Sequence, residues 1–259
     1  MTYTPAEMMT VAAARALANS DVCFVGIGLP SAACNLARLT HAPRIHLIYE
    51  SGTLGTRPDV LPLSIGDGEL CETALTTVAV PEVFRYWLQS GRITVGFLGG
   101  AQVDRFGNLN STVIGDYAKP KVRLPGSGGA TEIATGAGQI FIIMRQNTRS
   151  FVNNLDFLTT LGHGRTGRER RELGIRTKGP TLLVTDLCIM HPDAETSEMA
   201  VTSLHPGITR EQIRQNTSWE IRFADTVAET EPPSTGELEV LRELHARTAR
   251  AHGAVAGGE

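Results

Sequence analysis

Three short apolar runs, each closing on a glycine turn, set the frame for this chain: VCFVGIG (22–28), RIHLIYESG (44–52) and RITVGFLGG (92–100). Runs of this length, rich in β-branched and aromatic side chains and bounded by glycine, read as buried strands. Between the first two lies SAACNLARL, a short helix whose small residues permit close packing on a sheet. Upstream, Thr4 can cap a helix, Pro5 suits its first position and Glu7 completes a capping box. That helix is predicted to run to about Ala18. Helix, strand, helix, strand over residues 1–50 predicts a parallel pair joined by a crossover helix.

Residues 51–68 read as loop, broken by Gly52, Gly55, Pro58, Pro62, Gly66 and Gly68. A loop this long is ordinarily functional or covered by a partner. PEVFRYWLQSG predicts a helix from Pro81, ended by Gly91, and KVRLPGSGGATEIA a glycine turn opening a short helix. QIFIIM and TLLVTDLCIM read as strands. TREQIRQN carries a capping box from Thr209 to Gln212, and Ser234 to Glu237 cap a last helix whose Leu238, Leu241 and Leu244 share a face. Glu243 and Arg247 are spaced as an i,i+4 pair on it, and the tail after Gly253 is expected to fray. No repeat or linker is evident. The expected fold class is an open α/β sheet, mostly parallel, with flanking helices and residues 1–259 as one domain.

Composition narrows the function. The chain is 41% hydrophobic and 20% charged, as soluble globular proteins are. A net charge of −3 gives no global footprint for nucleic acid, and 5% aromatics give no stacking platform for bases. The four cysteines form no CxxC pair and fit no zinc spacing, and no HExxH is present, so no metal site is expected. Cys23, Cys34 and Cys188 lie in apolar surroundings and read as small buried hydrophobes. No signal peptide and no membrane span are recognisable, so a cytoplasmic location is expected. His163 and His205 sit beside turns and read as structural. Residues 164–178 concentrate arginines, which reads as a solvated basic loop, with a phosphate contact as the alternative.

Glu50 is the residue that needs explaining. It ends a buried run just where the chain must turn, the place where ligands bind in open α/β sheets. From its context it is a ribose clamp, a nucleophile or a solvated strand end. The ribose reading invokes Gly26-Ile27-Gly28 and a dinucleotide fingerprint; Ser31 at the third glycine position and the stiff Pro30 count against it. Two further glycine clusters, GFLGGAQVDRFGNLN (96–110) and PGSGGA (125–130), also follow apolar or extended runs. Their backbone amides suit an anion, and Gln102, Asn108 and Asn110 add uncharged hydrogen-bonding groups.

At this point YESGTLG resembles the glutamate motif of the β subunits of class I coenzyme A transferases. GGAQVDRFGNLNST and GDYAKPKVRLPGSGGA resemble that family's further signatures, and the similarity runs from TPAEMMTVAAARALANSDVCFVGIGLPS to SLHPGITREQIRQNT. CFVGIGLPS, LPLSIGDGEL and VTSLHPG resemble the branch that acts on 3-oxoadipate; the glutaconate branch is the alternative. Ring-opening hydrolases of the same fold lack the acid of this motif, whereas Glu50 is present here.

The resemblance implies Glu50 as the nucleophile of a ping-pong transfer of CoA from succinyl-CoA to a dicarboxylate, through a glutamyl-CoA thioester. It implies the Gly128 and Gly129 amides as oxyanion donors, Gln102 and Asn108 as groups orienting substrate, and Gly26 and Gly28 as CoA-binding positions. Gln102 and Asn108 have loop hydrogen bonding as their structural alternative; Gln102→Ala is expected to lower turnover with little effect on folding. CoA enters as substrate, with no permanently bound cofactor. An α subunit is implied as partner, in an αβ or α2β2 assembly that covers the loop after Glu50. The competing classes are a nicotinamide oxidoreductase and a non-catalytic acyl-CoA sensor.

Overall fold

The computed structural model describes residues 2–255, and the chain divides into two compact units. One comprises the residues up to 87 together with those from 233 onward; the other is residues 88–232.

The first unit begins with helix α1 (Pro5–Arg15), where the Thr4 hydroxyl accepts from the Glu7 amide and the Glu7 carboxylate accepts from the Thr4 amide. α1 stops before Ala18 because the Ala18 amide turns to the Asp21 carboxylate at 2.8 Å. Strand β1 (Val22–Val25), helix α2 (Leu29–Leu39) and strand β2 (His46–Tyr49) follow. β1 and β2 pair in parallel from Val22 opposite His46 to Val25 opposite Tyr49, the arrangement the alternating pattern predicts. Pro30 lies inside the first turn of α2, where its missing N–H costs nothing.

The stretch 51–67 is loop, as its glycines and prolines suggest, apart from the two-residue strand β3 (Thr53–Leu54); helix α3 (Gly68–Glu72) and strand β4 (Thr76–Thr77) follow it. β3 runs antiparallel to both β2 and β4, so the sheet order here is β1-β2-β3-β4. Helix α4 (Val80–Glu82) continues as a wider π-helical turn over Val83–Leu88, and Gly91 closes it with φ +77°.

The second unit contains β5 (Val95–Leu98), β6 (Gln102–Val103), β7 (Leu109–Asn110), β8 (Val113–Gly115), β9 (Pro120–Arg123), α5 (Ala130–Gly136) and β10 (Gln139–Ile143). It continues with α6 (Glu169–Glu172), β11 (Pro180–Val184), β12 (Cys188–Pro192), β13 (Met199–Leu204), α7 (Arg210–Gln215) and β14 (Phe223–Glu229). Its main sheet has the order β14-β13-β12-β11-β10-β5, with β10 parallel to both β5 and β11 and the antiparallel β12 inserted beyond them. β6 with β7 and β8 with β9 form two small antiparallel ribbons. TLLVTDLCIM is two strands rather than one. The Thr185 hydroxyl accepts from the Leu187 and Cys188 amides at 3.0 and 2.9 Å, and this turn folds β12 back on β11.

Helix α8 (Thr235–Val255) returns the chain to the first unit, with the Ser234–Glu237 cap in place. The expected tail beyond Gly253 is helical to Val255; residues 256–259 lie outside the described residues. Leu238, Leu241 and Leu244 are fully buried, each contributing roughly 1.5–3 kcal/mol. Arg15–Glu237 at 2.7 Å and Arg242–Glu7 at 2.6 Å tie α8 to α1. Cys23, Cys34 and Cys188 are buried and Cys71 is exposed, all as free thiols. His163 and His205 are buried, bonded to the carbonyls of Pro180 and Thr185 at 2.8 and 2.9 Å; burial lowers the pKa of both, which suits a structural role.

Candidate active site

The end of β2 is built to hold one backbone shape. Gly52 closes the turn through its amide on the Tyr49 carbonyl at 3.0 Å and sits at φ +106°. A Cβ there would run into the carbonyl oxygen of Val78, whose amide donates to the Gly52 carbonyl at 2.9 Å. Only glycine permits this approach. Glu50 and Ser51 are therefore fixed between a paired strand and a turn that cannot relax.

A buried polar chain supports the strand end from below. The Tyr49 and Ser31 hydroxyls share a hydrogen bond at 2.7 Å, and Asn35 donates to the Ser31 carbonyl at 2.9 Å. Arg38 donates to Asn35 Oδ1 at 3.1 Å and to the Pro58 carbonyl at 2.7 Å. Burial raises the Tyr49 phenol well above its ordinary value, against the lowering pull of its bond to Ser31, so it is neutral at pH 7 and acts as a strut. α2 is thereby linked both to the last residue of β2 and to the loop beyond it.

Glu50 itself is half-buried, and among the described residues its carboxylate makes no hydrogen bond or ion pair. Among the described residues the hydroxyls of Ser51 and Thr53, which follow it in the chain, are buried without a hydrogen-bond partner, which is unusual, since buried polar groups are ordinarily satisfied. Gly26 leaves β1 at the level at which Glu50 leaves β2, because Val25 and Tyr49 are register partners. Gly28, with φ +80°, is the N-cap of α2 and, having no side chain, leaves the first amides of the helix without a side-chain cap.

The other predicted residues lie in the second unit. Gln102 is 5% exposed: its Nε2 donates to Asp156 Oδ2 at 3.1 Å, and its Oε1 accepts from Asn110 Nδ2 and the Asp156 amide at 2.7 and 3.0 Å. Asn108 is 2% exposed, donates to Asp104 Oδ2 and the Gly164 carbonyl, both at 2.8 Å, and accepts from the Gly162 and Gly164 amides. Both amides are spent within the chain, which favours the loop-bonding alternative for their side chains. Burial raises the Asp104 carboxyl, while the bonds from Asn108 and Phe106 pull it down. Gly128 has φ +48° and Gly129 caps α5. Among the described residues neither of their amides meets an acceptor, which leaves both free to donate. Asp156 escaped sequence reasoning: it anchors a residue 54 positions away, and nothing in its local pattern marks it.

Among the described residues no group of three or more His, Cys, Asp and Glu side chains could hold a metal ion, and no helix is long and apolar enough to cross a membrane. A family model for coenzyme A transferases matches residues 6–216. The chain belongs to the coenzyme A transferase family. As a CoA-transferase chain it is 64% identical to the B-type subunit of 3-oxoadipate CoA-transferase from Pseudomonas knackmussii, over 99% of both chains. It is 37% identical to the B-type subunit of glutaconate CoA-transferase from Acidaminococcus fermentans, over 93% of this chain and 92% of that one. The crystal structure of glutaconate coenzyme A-transferase from A. fermentans superimposes with a TM-score of 0.88 at 33% identity, covering 93% of this chain and 94% of the other. Parallel central strands with flanking helices are thus the CoA-transferase architecture, as the sequence pattern predicts.

Proposed function

We propose that this chain is the β subunit of a CoA-transferase that moves CoA from succinyl-CoA to 3-oxoadipate in the catabolism of aromatic compounds. It works in the cytoplasm with an α subunit, in an αβ or α2β2 assembly. The observation that carries the mechanism is the Glu50 carboxylate, unpaired at the end of β2 in a turn that only Gly52 can close. Identity of 64% along the whole chain to a 3-oxoadipate enzyme's B-type subunit supports the acceptor.

The chemistry suits a carboxylate. Glu50 attacks the thioester carbonyl of the donor; the C–S bond breaks and CoA thiolate leaves, giving an acyl-glutamyl anhydride. The thiolate then attacks the Glu50 acyl carbon, the anhydride C–O bond breaks, and succinate departs from a glutamyl-CoA thioester. The acceptor carboxylate attacks that thioester and expels the thiolate, which returns to the acceptor's acyl carbon and regenerates free Glu50. Each exchange of carboxylate for thiolate keeps the energy of the thioester, and division into steps lowers each barrier. Every tetrahedral intermediate carries an oxyanion, a charge that unpartnered backbone amides such as those of Gly128 and Gly129 are chemically suited to stabilise. Gly26 and Gly28 offer backbone to CoA, while Gln102 and Asn108 hold the loops that carry the second glycine cluster. A partner over the loop after Glu50 would exclude the water that otherwise hydrolyses the anhydride.

Steady-state kinetics of the assembled complex test this reading. Parallel double-reciprocal lines, with 3-oxoadipate preferred over glutaconate by kcat/KM, are expected. Intersecting lines contradict the covalent route, and a preference for glutaconate contradicts the acceptor.

A further inference from the structure

Residues 164–178 hold six arginines and lysines against two glutamates in a chain whose net charge is −3. This segment is not merely a solvated basic loop. It folds around a cleft of about 580 Å³ to which Arg170, Arg171, Arg176, Lys178, Thr177 and His163 contribute, and no acidic residue lines it. Glu169 turns away, its carboxylate accepting from the Thr166 and Arg168 amides.

Arg170 distinguishes the cleft from an ordinary basic surface. It is only 5% exposed, yet among the described residues it has no carboxylate partner. Its Nη1 donates to the Leu161 and Gly162 carbonyls, both at 3.1 Å, and its Nη2 to the Ala134 carbonyl at 3.0 Å and Thr177 Oγ1 at 2.6 Å. Its Nε is buried and unpartnered. Burial pulls its pKa down to about 10, which leaves it charged at neutral pH. A desolvated charge without a counter-ion is costly, and an anion beside it interacts through a medium of low dielectric. Above this fixed charge Arg171, Arg176 and Lys178 make no ion pair among the described residues, so they can close on a ligand without first breaking a bond. His163, kept neutral by burial, adds no charge of its own.

We infer that this cleft is a binding site for a phosphate-bearing anion, with Arg170 as its floor and Arg171, Arg176 and Lys178 as its clamp. Guanidinium groups match phosphate oxygens in pairs, whereas a lone carboxylate would leave most of these donors unused. The phosphates of the CoA substrate are one source of that chemistry, and this assignment of source rests on the proposed function; a free phosphorylated effector is the other.

The test uses the assembled αβ complex and inorganic pyrophosphate as probe, with binding read by calorimetry. Arg171→Glu/Arg176→Glu should weaken pyrophosphate binding at least tenfold. The milder Arg176→Ala should weaken it in the same direction and serves where the double variant does not assemble. A matching rise in KM for acyl-CoA with unchanged kcat would assign the site to the substrate's phosphates. An unchanged KM with pyrophosphate binding lost would assign it to a free effector. A complex that binds pyrophosphate yet transfers no CoA would remove the transferase reading and keep the site. Wild-type complex that ignores pyrophosphate, or binding that survives both variants, overturns the inference. So does failure of both variants to join the α subunit, which would make the cleft a subunit contact.

Discussion

Val25 and Tyr49 stand opposite each other in parallel register, so the chain leaves two neighbouring strands at one level, through Gly26 on one side and Glu50 on the other. A backbone without a side chain is thereby set beside a carboxylate without a partner. That juxtaposition follows from strand pairing, and it lies at the strand ends, where open α/β sheets bind ligands.

Gly52 is the residue on which this geometry depends. Gly52→Ala combines a positive φ with a collision against the Val78 carbonyl oxygen. The variant should lose on the order of 2–4 kcal/mol of stability. Denaturant unfolding of the purified chain reads this directly, and turnover of the complex should fall with it because Glu50 is displaced.

Thr53 should behave in the opposite way. Its hydroxyl is buried without a hydrogen bond, so Thr53→Val removes an unsatisfied group while keeping the shape. The expected result is unchanged or up to about 1 kcal/mol greater stability in the same unfolding measurement. A clear loss would mean that the hydroxyl has an unseen partner, such as a bound water.

Gln102 and Asn108 exchange the outcome expected from sequence for another. Their amides each serve several buried groups, so Gln102→Ala and Asn108→Ala should each cost roughly 2–4 kcal/mol. Any loss of turnover should track this destabilisation. A Gln102→Ala complex of native stability but reduced kcat would restore a direct role in orienting substrate.

Acid should loosen the contact between α1 and α8. The Arg242 hydrogen bond holds Glu7 down to about 2; for Glu237 burial works upward, but the bonds from Arg15 and Ser234 outweigh it and hold it at about 2 as well. Because both folded values are depressed, the stabilisation is complete above the ordinary carboxylate value of 4.5 and is lost as pH falls through the folded values. Thermal midpoints should therefore drop from about pH 4.5 downward, and Glu7→Gln or Glu237→Gln should flatten that slope. Both pairs are partly exposed, so added salt should reduce the effect.

How far the molecule was legible in advance depended on the range of the interactions concerned. β1, β2, β5 and β10 are continuous apolar runs, and the caps of α1, α7 and α8 are written in four adjacent residues, so local pattern found them. β3 and β4 are two-residue strands held by the backbone approach of Gly52 to Val78, which no hydrophobic period announces. The break inside TLLVTDLCIM rests on one hydroxyl, that of Thr185, in a run that otherwise reads as continuous. Glu50 was visible because a charge ending a buried run is locally anomalous. The commitments of Gln102 to Asp156 and of Asn108 to Gly164 were not, because they join positions more than fifty residues apart.

The central claim is that Glu50 becomes covalently attached to CoA. Intact mass spectrometry of this chain, purified with its α partner and incubated with succinyl-CoA, measures it. The account predicts an added mass equal to CoA less water, absent from the Glu50→Gln complex and discharged when the acceptor acid is added. An assembled complex that turns over substrate with no adduct on this chain, or an adduct that persists in Glu50→Gln, would contradict it.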